Sequence, residues 1–252
     1  MTFATGKHAL ITGGGTGIGA GAARALAAAG AKLSLIGRRS QPLQEVAAET
    51  GGRAIVCDIT DPEAQARAFA EAREAFGPLD YVILNAGIGD SRPFLRTSRD
   101  SWNEILATNL TALFDGAQLA LPDLQQPGKR LVIVASVAGL KGAAMAAPYV
   151  ASKHGAVGFA KSLALEFART GLTVNAICPS FVDTPMVDAS AGRIARATGK
   201  SVEEARQLLA RTNGNGRLIT VDEVTHAIMQ LLHPNASGVN GASVTIDGGT
   251  SA

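Results

Sequence analysis

Aromatic residues are scarce, at 4% of the 252-residue chain. That excludes an aromatic-filled β-sandwich core and, with abundant Ala and Gly, favours helices packed closely on a sheet. Only two cysteines occur, Cys57 and Cys178. They are far apart, each in a predicted strand, and lack metal-ligand spacing, so they read as buried free thiols in a reducing compartment. Charge of one sign is also lacking: the net value is +2, and no block of like charge marks a nucleic-acid or membrane surface. No apolar run is long enough to span a bilayer. The short run after Lys7 leads into a glycine turn and is no signal peptide, so a cytoplasmic location is expected.

What the sequence does contain is an alternation of strands and helices without linker or internal repeat, which predicts one doubly wound α/β domain with a parallel sheet. Residues 7–12 read as a buried strand. Gly13-Gly14-Gly15-Thr16-Gly17-Ile18-Gly19 follows, then an Ala-rich helix from Ala20 to about Ala29. Glycines at such a turn let the backbone approach a pyrophosphate, whose charge the helix N-terminus receives. A P-loop is excluded because no Gly-Lys-Ser/Thr follows.

The second strand, Lys32 to Ile36, ends at Gly37-Arg38-Arg39. The acidic residue that would take the ribose hydroxyls of NAD is absent there, and two guanidinium groups suit a 2′-phosphate instead. NADP(H) is favoured, with NAD(H) the alternative. The third strand, Ala54 to Cys57, leads into Asp58-Ile59, with Asp61 and Pro62 placed to start a helix. The fourth, Tyr81 to Leu84, ends in Asn85-Ala86-Gly87, where small residues let a flat ring pass close to the backbone. In the helix beginning near Ser98, Asn109 lies on or beside the apolar face and must find hydrogen-bond partners.

Tyr149 and Lys153 stand four residues apart, on one face if the segment is helical. Ser136 lies thirteen residues upstream of Tyr149, at the end of the apolar run 131–135. With the glycine turn, these residues read as an acid/base pair beside a bound nucleotide. The segment from Val137 to Ala147 is mostly small and would leave room for a substrate. The helix from Tyr149 to about Arg169 is apolar on more than one side, which predicts a partner subunit. Residues 186–216 form a basic stretch, expected to be a helical lid over the substrate. A helix from Val221 to Leu232 and a last strand from Ser243 to Ile246 complete the chain.

These motifs resemble the short-chain dehydrogenase/reductase family, in its shorter single-domain form, over nearly the whole chain from Lys7 to Gly249. The resemblance rests on TGGGTGIG at Thr12–Gly19, NAG at Asn85–Gly87, Asn109, Ser136, YVASK at Tyr149–Lys153 and PSFVDT at Pro179–Thr184. Two departures are mild. Leu84 replaces a frequent Asn, and Ser180 replaces a frequent Gly near the nicotinamide. Thr16 stands where NADP-preferring members often carry a basic residue.

The resemblance implies a Rossmann fold and reversible hydride transfer between a nicotinamide and a ketone or secondary alcohol. It implies that Tyr149 donates or removes the proton, with its phenol lowered by Lys153. Ser136 holds the substrate oxygen, Lys153 the nicotinamide ribose, and Asn109 a water. It places Gly13, Gly15, Thr16, Gly17, Ile18, Gly19, Arg38, Arg39, Asp58, Ile59, Asn85, Ala86, Gly87, Tyr149, Lys153, Pro179, Val182 and Thr184 around the cofactor. The substrate is expected to be a 3-ketoacyl thioester, met by the basic lid, or a bulky or cyclic ketone; the alternative from another class is a protein that senses the nucleotide without turning it over. A homotetramer is implied, and a dimer fits the two-sided helix as well.

Overall fold

The computed structural model describes residues 2–251. Seven strands form one parallel sheet: β1 (His8–Thr12), β2 (Lys32–Gly37), β3 (Arg53–Val56), β4 (Tyr81–Leu84), β5 (Arg130–Val134), β6 (Thr173–Pro179) and β7 (Ser243–Ile246). Their spatial order is β3-β2-β1-β4-β5-β6-β7. The central strands β1, β4, β5 and β6 are buried at every position, as strands covered by helices on both faces must be. Between β1 and β4 the order reverses, with Ala9 opposite Tyr81. Such a switch point opens a crevice beyond the carboxyl ends of the strands.

One face carries α3 (Pro62–Phe76), α5 (Ala112–Leu124) and α6 (Ala147–Glu166). They pack on the sheet through Phe69, Ala117, Leu124, Ala156, Ala160 and Leu163. The other carries α1 (Gly17–Ala28), α2 (Ser40–Thr50) and α9 (Val221–Leu232), through Ala22, Leu26, Leu43, Val46, Ile228 and Leu232. Small side chains set these distances: a β-carbon on Gly21 of α1 would lie 2.4 Å from the Val221 Cγ1 of α9. The start of α3 follows the expectation, since the Asp61 carboxylate accepts from the N–H groups of Glu63 and Ala64 at 3.0 Å, with Pro62 in the first turn.

Several boundaries differ from those expected. α1 begins at Gly17, so Gly17 and Gly19 belong to the first helical turn rather than to the loop. β3 ends at Val56, and buried Cys57 lies just past it, donating its N–H to Gly37 O at 3.0 Å. β6 extends one residue to include Pro179. α6 starts two residues before Tyr149 and gives way to a 3-10 turn at Ala168–Thr170. The predicted helix from Ser98 is divided into α4 (Arg99–Leu106), a π-helical turn (Ala107–Thr111) and α5.

The basic stretch is two helices, α7 (Pro185–Thr198) and α8 (Val202–Ala210), packed on each other through Val187, Ala191, Ala205 and Leu209. Among the described residues no helix is long and apolar enough to cross a membrane. Nor does any group of three His, Cys, Asp or Glu side chains stand ready for a metal.

Candidate active site

The first two turns of α6 bring Tyr149 and Lys153 to the ends of β4, β5 and β6. Lys153 is 5% exposed. Its Nζ donates to the Val134 carbonyl at 2.9 Å and lies 5.7 Å from the centre of the Tyr149 ring. Ser136, two residues past β5, has its hydroxyl directed at the Pro179 carbonyl at 3.3 Å, and it accepts from the Ala138 N–H at 3.1 Å. A β-carbon on Gly87 would come within 3.6 Å of the Lys153 Nζ and 3.2 Å of the Asn109 Oδ1. Thus Ser136, Tyr149, Lys153, Asn109 and Gly87 are brought together at the switch side of the sheet.

Asn109 sits in the π-helical turn, where the wider hydrogen-bonding ring re-aims a side chain relative to a regular helix. Its Oδ1 accepts from the Ile88 N–H at 2.8 Å, and its Nδ2 donates to the Ile88 carbonyl at 2.9 Å and to Ser152 Oγ at 3.2 Å. The amide therefore pins the loop that follows β4. Ser152 went unremarked in the sequence because it reads as a spacer within YVASK. It is fully buried and donates to the Tyr149 carbonyl at 2.8 Å.

Burial raises the Tyr149 phenol above its ordinary value, and the Ser136 hydroxyl opposes that rise. Burial also pushes the Lys153 ammonium down to about 8. The expected lowering of the phenol by Lys153 is thus corrected for the free protein, where burial is the largest influence and raises it. Burial holds the neighbouring Cys178 thiol at about 11, so it is neutral at physiological pH.

The glycine turn is shaped by contacts within the protein. Gly13 has φ +68°, and a β-carbon there would lie 2.8 Å from the Asn85 Nδ2. On Gly19 it would lie 2.3 Å from the Gly13 carbonyl, and on Gly15 3.0 Å from the Leu43 N of α2. Asn85 Nδ2 donates to the Thr12 carbonyl at 2.9 Å, while Thr12 Oγ1 accepts from the N–H groups of Asn85 and Ala86 at 3.0 and 3.1 Å. The last polar residue of an apolar strand was the sequence signal for Thr12.

At the start of α1, Thr16 makes no side-chain capping bond and the first turn holds no acidic residue. By contrast, α3, α8 and α9 are capped by Asp61, Ser201 and Thr220. The first N–H groups of α1 are left for an anion. A β-carbon on Gly17 would meet Thr184 Cγ2 at 3.1 Å, so the turn and the segment after β6 close on the same space. Thr184 Oγ1 donates to the Val182 carbonyl at 3.1 Å. Ile18 is partly buried against the α1 side of the core, and Ile59 turns its side chain into the opposite core.

Arg38 and Arg39 lie just past the carboxyl end of β2. Arg38 lies 3.8 Å from the Asp58 carboxylate, and Arg39 donates to Thr16 Oγ1 at 3.2 Å. Asp58 also accepts from the N–H and Oγ1 of Thr60, which with Arg38 holds its carboxyl below the ordinary range. Both arginines are exposed.

Two expectations for the substrate side need correction. Val137, Ala138 and Gly139 are buried under α6, with a β-carbon on Gly139 only 2.5 Å from the Lys153 carbonyl. Only the later part of that segment is open. The lid is also less basic than its composition, because Arg206 pairs with both Asp183 and Asp188. The site rim contains Met145, from the apolar wall 142–146, and Arg193, from the basic stretch, with Met186 and Gly89, which the sequence did not single out. Met145 is in the left-handed region at φ 62°, and its carbonyl accepts from the Arg92 N–H at 2.7 Å.

Residues 7–194 match the family described as short chain dehydrogenase. A granaticin polyketide synthase putative ketoacyl reductase from Streptomyces violaceoruber is 36% identical over 250 residues, covering 96% of this chain and 92% of that protein. A D-beta-hydroxybutyrate dehydrogenase from Cupriavidus necator is 38% identical over 251 residues, covering 97% of each. Among solved structures, a variant of actinorhodin polyketide ketoreductase with NADPH superimposes with a TM-score of 0.92 at 32% identity, covering 97% of each chain.

Proposed function

The chain belongs to the short chain dehydrogenase family, and from that premise we propose an NADP(H)-preferring reductase of 3-oxoacyl compounds in which Tyr149 moves the proton. The reaction class itself is that of an oxidoreductase acting between a ketone and a secondary alcohol with a nicotinamide cofactor.

The residues present fit that cofactor. The uncapped start of α1 and the turn Gly13–Gly19 would receive a pyrophosphate, with Ile18, Val182 and Thr184 around it. Asp58, Ile59, Asn85, Ala86 and Gly87 would line the adenosine side, and Arg38 and Arg39 would take a 2′-phosphate. Pro179, Tyr149 and Lys153 would hold the nicotinamide end. When bound, the nicotinamide supplies the hydride that adds to the carbonyl carbon.

The protein supplies the rest. Ser136 Oγ, held between Pro179 and Ala138, rotates its proton from the Pro179 carbonyl to the substrate oxygen. The phenol of Tyr149, raised by burial, stays protonated and delivers its proton to the forming alkoxide. Lys153, fixed by Val134, places a positive charge beside the phenolate that remains. Asn109 keeps Ile88 in place and lies within reach of a water that would reload the proton.

The observation that carries the proposal is the convergence of Ser136, Tyr149, Lys153 and Asn109 around Gly87. The 3-oxoacyl assignment is supported by the ketoacyl reductase and hydroxybutyrate dehydrogenase relatives. A bulky or cyclic ketone is the second reading, favoured by the exposed Met145 and Met186 at the rim. In either case α7 and α8 serve as the lid of one domain. Leu165 and Phe114, 82% and 44% exposed on α6 and α5, support a homo-oligomer formed through those helices.

Oxidation of NADPH and NADH is measured with acetoacetyl-CoA, ethyl acetoacetate and a cyclic ketone. The expected result is faster turnover of the two 3-oxoacyl compounds with NADPH. Faster turnover of the cyclic ketone overturns the substrate assignment, and equal rates with NADH overturn the cofactor preference.

A further inference from the structure

We propose that Arg193 recognises an anionic group carried by the ketone substrate, a carboxylate or a phosphate, and so sets specificity at the site of Tyr149. The inference rests on the reading of Tyr149 as the proton donor.

Gly89 joins the two residues. Its carbonyl lies 3.4 Å from Arg193 Nη2. A β-carbon on Gly89 would lie 4.0 Å from Tyr149 Cε2 and 3.5 Å from Met186 Sδ. A single glycine therefore touches the ring of the proton donor and the guanidinium of α7. Glycine keeps this gap open, and Met186 supplies an apolar wall beside it.

The charge balance of the rim singles out Arg193. Arg92 is paired with Asp90, and Arg206 with Asp183 and Asp188. Arg193, part-buried on α7, has no carboxylate within 4.0 Å among the described residues. It uses Nη2 alone, for Ser190 Oγ at 2.9 Å and for Gly89. A guanidinium offers five N–H donors in a fixed fork, so the Nε and Nη1 donors remain for a ligand. Partly withdrawing a cation from water without a counter-ion is unfavourable, and an anionic substrate removes that cost on binding. Ser190 orients the fork, and the carbon chain of the ketone lies along Met186.

Carboxylate and phosphate offer the same oxygen pair to this fork. Acetoacetate carries the first, acetoacetyl-CoA the second, and ethyl acetoacetate neither. Steady-state kinetics with these three ketones compare the wild-type enzyme with Arg193→Gln and Arg193→Lys, after thermal melting verifies that both variants fold. Loss of a charge-assisted pair predicts a KM for the anionic ketone raised about 10- to 100-fold in Arg193→Gln, with kcat within about twofold. Arg193→Lys recovers part of the loss. Added salt raises the same KM in the wild type and has little effect in Arg193→Gln.

A loss confined to acetoacetate assigns the carboxylate, and one confined to acetoacetyl-CoA assigns the phosphate. An equal loss with ethyl acetoacetate means that Arg193 merely braces Gly89, and overturns the proposal. Unchanged kinetics with all three overturn it as well, while leaving the reaction intact. If the wild type reduces none of them, the 3-oxoacyl reading fails and the proposal falls with it.

Discussion

The Lys153 ammonium stands over the ring of Tyr149, 5.7 Å from its centre, while its hydrogen bond at 2.9 Å goes to the Val134 carbonyl. The cation is tied to β5 and faces the phenol's π-surface, an attraction that does not require the phenol to ionise. Tyr149→Phe preserves the ring and this packing but removes the transferable proton. It is expected to lower the rate of ketone reduction by about 10²- to 10⁴-fold with cofactor affinity unchanged. Near-normal turnover would assign the proton transfer to another group.

The pH dependence follows from the same pair. The phenol, raised by burial, remains an acid across the neutral range, whereas Lys153 loses its proton through about 8. For reduction, kcat/KM, which reports the free enzyme, is expected to fall as pH rises through about 8. A profile flat to pH 10 would show that the ammonium charge is not required.

Burial of Lys153 also costs stability. Its folded value of about 8 lies below the ordinary value of 10.5. Below about 8 both the folded and unfolded states carry the proton and the full penalty is present. Between those values the unfolded state binds more protons, so this group's contribution to stability rises with pH. The penalty is on the order of 3 kcal/mol. Lys153→Met, which loses the bond to Val134 and the ammonium–ring contact with Tyr149, is expected to unfold at a higher temperature at pH 7 while losing activity. A lower melting temperature at that pH would count against the penalty.

Asn109 satisfies both backbone groups of Ile88. Asn109→Ala orphans a donor and an acceptor at a buried position, an expected loss of about 2–4 kcal/mol measured by urea unfolding. Asn109→Asp keeps the acceptor for the Ile88 N–H but sets a carboxylate oxygen against the Ile88 carbonyl at a buried position. It should also be less stable than the wild type, and an Asp variant of wild-type stability would contradict this.

Arg38 and Arg39 bear on the choice of nicotinamide. Replacing both with Ala is expected to reduce kcat/KM for NADPH about 10- to 100-fold, as two charge-assisted contacts are lost. The value for NADH should stay within about threefold. A parallel loss for both cofactors would mean that the pair only braces Asp58 and Thr16.

The alternation of strands and helices, the glycine turn and the Tyr149–Lys153 spacing were legible because they depend on local periodicity and backbone freedom. The Asp61 cap and the α9 helix were legible for the same reason, since their side chains act within a few residues. The division at the π-helical turn was not, because it is the pull of Ile88 and Ser152 on Asn109 that accompanies the wider turn, and those partners lie 21 and 43 residues away. Charge was legible only as composition. Residues 186–216 read as a basic stretch diluted by Asp188, Glu203 and Glu204, and only folding sets Arg206 against Asp183 and Asp188.

By itself, then, the sequence determined the doubly wound sheet, the order of its motifs and the spacing of the polar side chains within them. Those properties follow from residue type and spacing along one chain. The tertiary structure alone decided that burial raises the Tyr149 phenol and lowers the Lys153 ammonium, and that Gly89 lies between Arg193 and Tyr149. Desolvation and the pairing of charges depend on which distant segments share a crevice, and only the folded chain specifies that.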